Sequence, residues 1–223
     1  MTRVTNPRER ERKRRRILDA ALKIFSTKGY SPTVLEEIAQ EAGIAKGTLY
    51  LYFQDKEDLF YNTIMNVIDK LIGILKEKID DTMNPMQILR DLAFIQLSFF
   101  SRNREFFALF QTLHNDLLLF SHKQLFSHLM KRRQELIDYE HEIVERGKRQ
   151  GLIRKDIDTA EIVHCYEGMV MYFIREIGGC ETNTRGLNLK KKTDALMKIF
   201  LQGVSADEDR SNTGHHTGKR PRG

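Results

Sequence analysis

An all-α fold is predicted for this chain of 223 residues. Apolar residues recur at three- and four-residue steps through every long segment, and no stretch alternates with the two-residue period of a half-buried strand. Glycine, proline and asparagine break the pattern at helix-length intervals. The breaks divide the chain into a small N-terminal unit of three helices and a larger helical domain after it.

Ile17, Ala20, Ala21, Ile24 and Phe25 form the buried stripe of a first helix, which Gly29 closes. Pro32 disfavours helical geometry at Ser31, so the chain resets there. Thr33 then stands as an N-cap, and Glu36 three residues on completes a capping box for a second helix over about 34–41. Gly43 supplies a left-handed turn, and a third short helix follows from about Ala45 to Tyr52. Gln54-Asp55 separates it from a long helix, Lys56 to about Asp80, whose buried side carries Leu59, Ile64, Val67, Ile68, Leu71, Ile74 and Leu75. Further helices are expected over roughly 86–101, 105–120, 123–150, 159–177 and 187–204, with breaks at Asn84-Pro85, Arg102-Asn103, Ser121-His122, Gly151 and a polar loop from Gly178 to Gly186. The expected boundaries are a flexible basic arm over 1–16, the three-helix unit over 17–55, the larger domain over 56–204 and a disordered tail over 205–223 that lacks large apolar residues.

The formal charge of +6 is concentrated at one end. Residues 3–16 hold eight basic groups (Arg3, Arg8, Arg10, Arg12, Lys13, Arg14, Arg15, Arg16) against Glu9 and Glu11, which leaves 29 basic and 29 acidic residues elsewhere. A balanced body with one cationic end suits a polyanion, either nucleic acid or an anionic membrane surface. The 40% hydrophobic content supplies a core. The most apolar region, Leu92 to Phe120, is interrupted by Arg102, Arg104, Glu105 and Asp116, so no bilayer span is expected. Cys165 and Cys180 fit no zinc or redox spacing and are expected to be buried or idle thiols, with a reducing cytoplasm as the compartment.

The second and third helices have the parts of a helix-turn-helix. Ala39 is small enough for the crossing, Gly43 makes the bend, and Ile38, Ile44 and Leu49 lock the third helix in place. The outward side of that helix then carries Lys46, Gly47, Thr48 and Leu51, flanked by Tyr50 and Tyr52. In a major groove Lys46 would donate to guanine acceptors, Thr48 would meet a base edge or a thymine methyl, and Gly47 would allow close approach. Phosphate contacts are expected from Thr33 and the amides that start the second helix, from Tyr52, from Lys56, and from Arg14 and Arg15 in the arm. One of Tyr50 and Tyr52 is expected to be interior.

Thr33-Val34-Leu35-Glu36-Glu37-Ile38-Ala39, Ala42-Gly43, Lys46-Gly47-Thr48-Leu49-Tyr50, Tyr52-Phe53 and Lys56-Glu57-Asp58-Leu59 together resemble the N-terminal signature of TetR-family transcriptional regulators. The resemblance covers about the first quarter of the chain. It implies a homodimeric repressor of double-stranded operator DNA whose larger domain holds a small-molecule pocket and a dimer interface of two helices per subunit. Leu51 departs from the pattern, since relatives often carry a polar residue or histidine there.

Two features of the larger domain fit independently of the resemblance. Tyr166, Met169, Val170, Phe173, Ile174 and Ile177 in one helix, and Leu196, Ile199, Phe200 and Val204 in the last, give apolar faces that a second copy would bury in a four-helix bundle. The centre is dense in aromatics, including Phe94, Phe99, Phe100, Phe106, Phe107, Phe110, Phe120 and Phe126. A pocket lined by Phe94, Leu97, Phe107, Phe110, His114, Tyr166, Met169 and Phe173, with His141 and Tyr172 nearby, would take a hydrophobic effector with one polar handle, a fatty acyl compound or a xenobiotic. The long helix from Lys56 is the expected lever between pocket and DNA.

Seven histidines prompt a search for a metal site. His114, His122, His128, His141 and His164 lack paired ligand spacing, and His215-His216 lies in the tail, so neither metal nor cofactor is expected. No Gly-x-Ser-x-Gly elbow, phosphate loop, Gly-x-Gly-x-x-Gly or Cys with a nearby base assigns a reaction, which argues against an enzyme. A DNA-organising or cell-division protein without an inducer remains the alternative.

Overall fold

The computed structural model describes residues 6–115, 123–179 and 188–204. Every regular element among them is an α-helix: α1 (Pro7–Lys28), α2 (Leu35–Glu41), α3 (Lys46–Leu49), α4 (Lys56–Lys78), α5 (Pro85–Arg102), α6 (Arg104–Asn115), α7 (Lys123–Arg149), α8 (Thr159–Gly179) and α9 (Leu189–Val204). The predicted all-α class and the order of elements hold. Arg3, Asp116, Leu117, Phe120, Ser121, His122, Cys180, the loop over 180–186 and the tail over 205–223 lie outside the described residues, as do the side chains of Phe110, Leu113 and His114.

The first correction concerns the arm. Residues 7–16 are not an extended tether but the opening three turns of α1. The Asn6 side chain accepts from the Arg8 amide at 3.1 Å, and Pro7 occupies the first turn, where its missing N–H costs nothing. Glu9–Lys13 and Glu11–Arg15, each at 3.1 Å, add four-residue ion pairs along the helix.

Helix α5 is the hub of the larger domain and packs on α4, α6, α7, α8 and α9. Its sequence is apolar around most of its circumference, as a surrounded helix requires, and Ile88, Leu89, Leu92, Ala93 and Leu97 are completely buried. Asn84 caps it through the Met86 amide at 2.8 Å, with Pro85 in the first turn. The hydroxyl of fully buried Tyr166 donates from α8 to the Leu89 carbonyl of α5 at 2.6 Å.

The N-terminal unit is fastened to this body twice. Helix α1 packs along both α4 and α6. Helix α4 is tied to α7 by Tyr61 Oη with His128 Nδ1 at 2.8 Å, by Arg132 with Asp69 at 3.5 Å, and below its C-terminus by the Tyr139 hydroxyl on Asp81. No helix among the described residues is long and apolar enough to cross a membrane.

Candidate nucleic-acid interface

Ile17, Leu18, Ala21 and Phe25 of α1, Ile38 and Ala39 of α2, Leu49 of α3 and Phe53 share one buried core. Leu49 is completely buried, which fixes the rotation of a helix only 4 residues long. Gly43 makes the bend with φ +64°, a conformation that disfavours a Cβ. A Cβ there would also stand 3.1 Å from Arg16 Nη2, which donates at 2.6 Å to the Ala42 carbonyl and so closes the end of α2.

With Leu49 inward, the opposite side of α3 faces solvent. Lys46 and Gly47 are exposed, Thr48 is half-buried, and Tyr50 and Leu51 are 48% and 74% exposed. A Cβ on Gly47 would meet nothing within 4 Å, so the fold itself does not require glycine there. Tyr52 is the member of the tyrosine pair that packs against the core. The acidic groups of α2 are each held by a lysine: Glu36 by Lys46, Glu37 by Lys28 at 2.5 Å and Glu41 by Lys23 at 2.7 Å. Hydrogen bonding from Lys46 holds the Glu36 carboxyl below its ordinary range and Lys46 above its own. Both groups are solvated, so a phosphate or base can compete for Lys46 at little cost.

Three expected phosphate contacts are corrected. Thr33 is 1% exposed, and its hydroxyl donates to the Gly29 carbonyl at 2.6 Å. Val34, not Thr33, is the N-cap of α2, without a side-chain cap bond, so the capping box does not form. Lys56 is a clamp: its Nζ donates to the carbonyls of Tyr30, Ser31 and Thr33 at 2.9, 3.0 and 3.0 Å and lies 4.5 Å from the Tyr30 ring centre. All three ammonium protons are thereby engaged. Lys56→Met is expected to lower stability by about 2 kcal/mol while leaving the salt slope of DNA binding unchanged. Urea denaturation and salt-dependent gel shifts measure the two effects. Arg14 also faces inward, donating to Asn62 Oδ1 at 2.7 Å with its guanidinium 5.5 Å from the Phe53 ring centre. Arg15 is exposed as expected, and Arg8, Arg12 and Arg15 line one side of α1.

The larger domain departs further from expectation. Tyr166, Val170, Ile174, Ile177, Leu196, Phe200 and Val204 are buried within the subunit, so those faces are core. The solvent side of α8 instead presents Cys165, Gly168, Met171 and Tyr172, and that of the adjoining α9 presents Ala195 and Ile199. Tyr172 and Ile199 are 66% and 64% exposed. Cys165 is an exposed free thiol, so of the two expectations, buried or idle, burial does not hold for it.

Among the described residues, those expected to line a pocket differ in their surroundings. Phe94 is 42% exposed, Leu97, Phe107 and Tyr166 are core, and Met169 and Phe173 are half-buried, Phe173 beneath the Lys192 ammonium. His141 lies apart from them in an open cleft of about 560 Å³ with Asp81, Tyr139, Glu142 and Arg146. The residue that sequence reasoning missed is Glu140, 1% exposed in the middle of α7. No periodicity signals it, because it stands in the charged run Asp138 to Arg146.

The sequence profile described as "Bacterial regulatory proteins, tetR family" matches residues 17–61. The chain is 37% identical over 86 residues to the HTH-type transcriptional regulator HbdR of Aromatoleum sp., a match spanning 39% of this chain and 38% of that protein's length. It is 30% identical over 158 residues to the HTH-type transcriptional repressor NicS of Pseudomonas putida, covering 70% of this chain and 71% of the repressor. The fold superposes with a TM-score of 0.68 on the ketosteroid transcriptional regulator KstR2 of Mycobacterium tuberculosis, at 20% identity over 87% of this chain and 95% of that one. With the profile match at its N-terminal end and 30% identity to a repressor over 71% of that protein's length, the chain belongs to the TetR family of bacterial regulatory proteins.

Proposed function

We propose that the protein is a homodimeric repressor that binds a palindromic operator and leaves it when a hydrophobic small molecule enters the larger domain. The carrying observation is the exposed face of α3, where Lys46, Gly47, Tyr50 and Leu51 project from a frame fixed by Leu49. Lys46 donates to guanine acceptors, Gly47 admits the DNA backbone, and Leu51 with the Thr48 methyl offers apolar contact to thymine methyls. Residues 7–53 act as the DNA-binding unit and residues 56–204 as the effector and dimerisation unit. One recognition helix spans too few base pairs for a unique site, so a twofold copy, joined through Tyr172 of α8 and Ile199 of α9, supplies the second half-site. NicS, a repressor, and KstR2, a ketosteroid regulator, support repression and an apolar effector.

Two helices connect the units, since α1 rests on both α4 and α6. An effector that shifts either one tilts the recognition helices apart, and a coupling of roughly 1–3 kcal/mol changes operator affinity about 5- to 150-fold. Selection of bound sequences from random DNA by the purified protein tests the proposal. It should return a palindrome; recovery of unrelated sequences would point to a DNA-organising role. Changing Arg8, Arg12 and Arg15 together to Gln should weaken binding to all sequences and reduce the salt slope by about 1 to 3, read from gel shifts at graded salt.

A further inference from the structure

Glu140 has no structural reason to be a glutamate. It lies where α7 packs on α5 and α8, 1% exposed, and neither carboxyl oxygen has a hydrogen-bond partner. An apolar side chain of similar size would pack there without the desolvation penalty of an unsatisfied polar group. The groups around it are already engaged. Arg133, two turns earlier on α7, pairs with Glu167 of α8 at 3.1 Å, and the single Tyr166 proton goes to the Leu89 carbonyl at 2.6 Å. Burial, reinforced by the Glu167 charge and opposed by Arg133, pushes the Glu140 carboxyl up to about 9. It is therefore a neutral acid near pH 7, with one unused O–H donor in the buried interior.

We propose that Glu140 is the polar anchor of the effector site, donating its carboxyl proton to the neutral carbonyl oxygen of an otherwise apolar ligand that inserts between α5, α7 and α8. The role as effector anchor rests on reading the chain as an effector-released regulator. A carboxylate head group is disfavoured, because it would bring a second negative charge beside Glu167 into a site of low dielectric. An ammonium head group would instead require Glu140 to ionise against the burial that keeps it neutral.

The test is calorimetric titration of the full-length protein with four probes of one chain length: 2-decanone, decanamide, decanoate and decylamine. The ketone and amide should bind at least about tenfold more tightly than the acid and the amine, a ranking that needs no variant. In Glu140→Leu, ketone affinity should fall at least about tenfold while the melting temperature stays equal or rises, and Glu140→Gln, which keeps a donor, should retain ketone binding. Equal ketone affinity in wild type and Glu140→Leu would overturn the assignment. So would preference for decylamine, or failure of wild type to bind either the ketone or the amide. Gel shifts on the same preparations separate the two proposals: the probe ranking without any specific DNA binding would remove the regulator and leave the anchor.

Discussion

Ile199→Asp is expected to give a folded monomer whose affinity for a selected operator falls to that for random DNA, a loss on the order of 10³-fold or more. Ile199 is 64% exposed on α9 and Tyr172 is 66% exposed on the adjoining α8, so the substitution removes nothing from the subunit core. In an isologous interface each side chain near the axis meets the same patch on its twin, so one substitution introduces two carboxylates into a surface that excludes water. DNA binding would suffer through geometry alone, since Lys46 and its neighbours are untouched but each molecule reads a single half-site. Sedimentation velocity and gel shifts follow the two consequences. A variant that remains dimeric and binds operator normally would place the twofold contact elsewhere.

The second large effect is on stability against pH. Glu140 has an ordinary value near 4.5 and is pushed up to about 9 when folded, mainly by desolvation. Between these values the folded chain holds a proton that the unfolded chain has released. The Glu140 contribution to stability is therefore fully present below about pH 4.5 and is lost as pH rises towards 9. The slope is up to about 1.4 kcal/mol per pH unit. Glu140→Gln keeps the shape and the hydrogen-bonding edge but cannot ionise. Its stability relative to wild type should grow steadily from pH 5 to pH 8 in urea denaturation, while the contributions of Glu167, Arg133 and other groups cancel in the difference. A constant difference across that range would show that the carboxyl reaches water or a partner.

The helix-turn-helix was legible because it is built from short-range rules. Gly43 is required by its positive φ, and Leu49 falls on the one inward position of a short helix, so the outward position of Lys46, Gly47 and Leu51 follows from spacing. The reach of α1 was missed because the stretch from Arg8 to Arg16 has no apolar residue and thus no periodicity. Its signal was of another kind: an Asn-Pro start and acid–base pairs four residues apart. Thr33 and Glu36 matched a capping box by spacing, yet Thr33 turned back to the Gly29 carbonyl and Glu36 outward to Lys46, so competing partners took both side chains from the cap. Lys56 sits in a family signature, which suggested a ligand of DNA, while its actual partners are carbonyls 23 to 26 residues away in the chain. The faces of α8 and α9 were assigned to the wrong surroundings because an amphipathic pattern says which side is buried but not by what. Tyr166 and Phe200 meet with tilted rings inside the subunit, their ring centres 5.3 Å apart. The large apolar residues left outside, Met171, Tyr172 and Ile199, were too few to stand out in a sequence.

The central claim is that the outward face of α3 reads base edges in two symmetric half-sites. Hydroxyl-radical and methylation-protection footprinting of wild type and Lys46→Ala on the selected operator tests it most directly. Wild type should protect two half-sites spaced by one DNA turn or a multiple, with guanine N7 shielded in each. Lys46→Ala should keep the backbone protection at higher protein concentration but lose guanine shielding in both halves, with a cost of roughly 1–3 kcal/mol per contact. An unchanged guanine pattern and affinity in Lys46→Ala, or protection of one asymmetric patch by wild type, would contradict it.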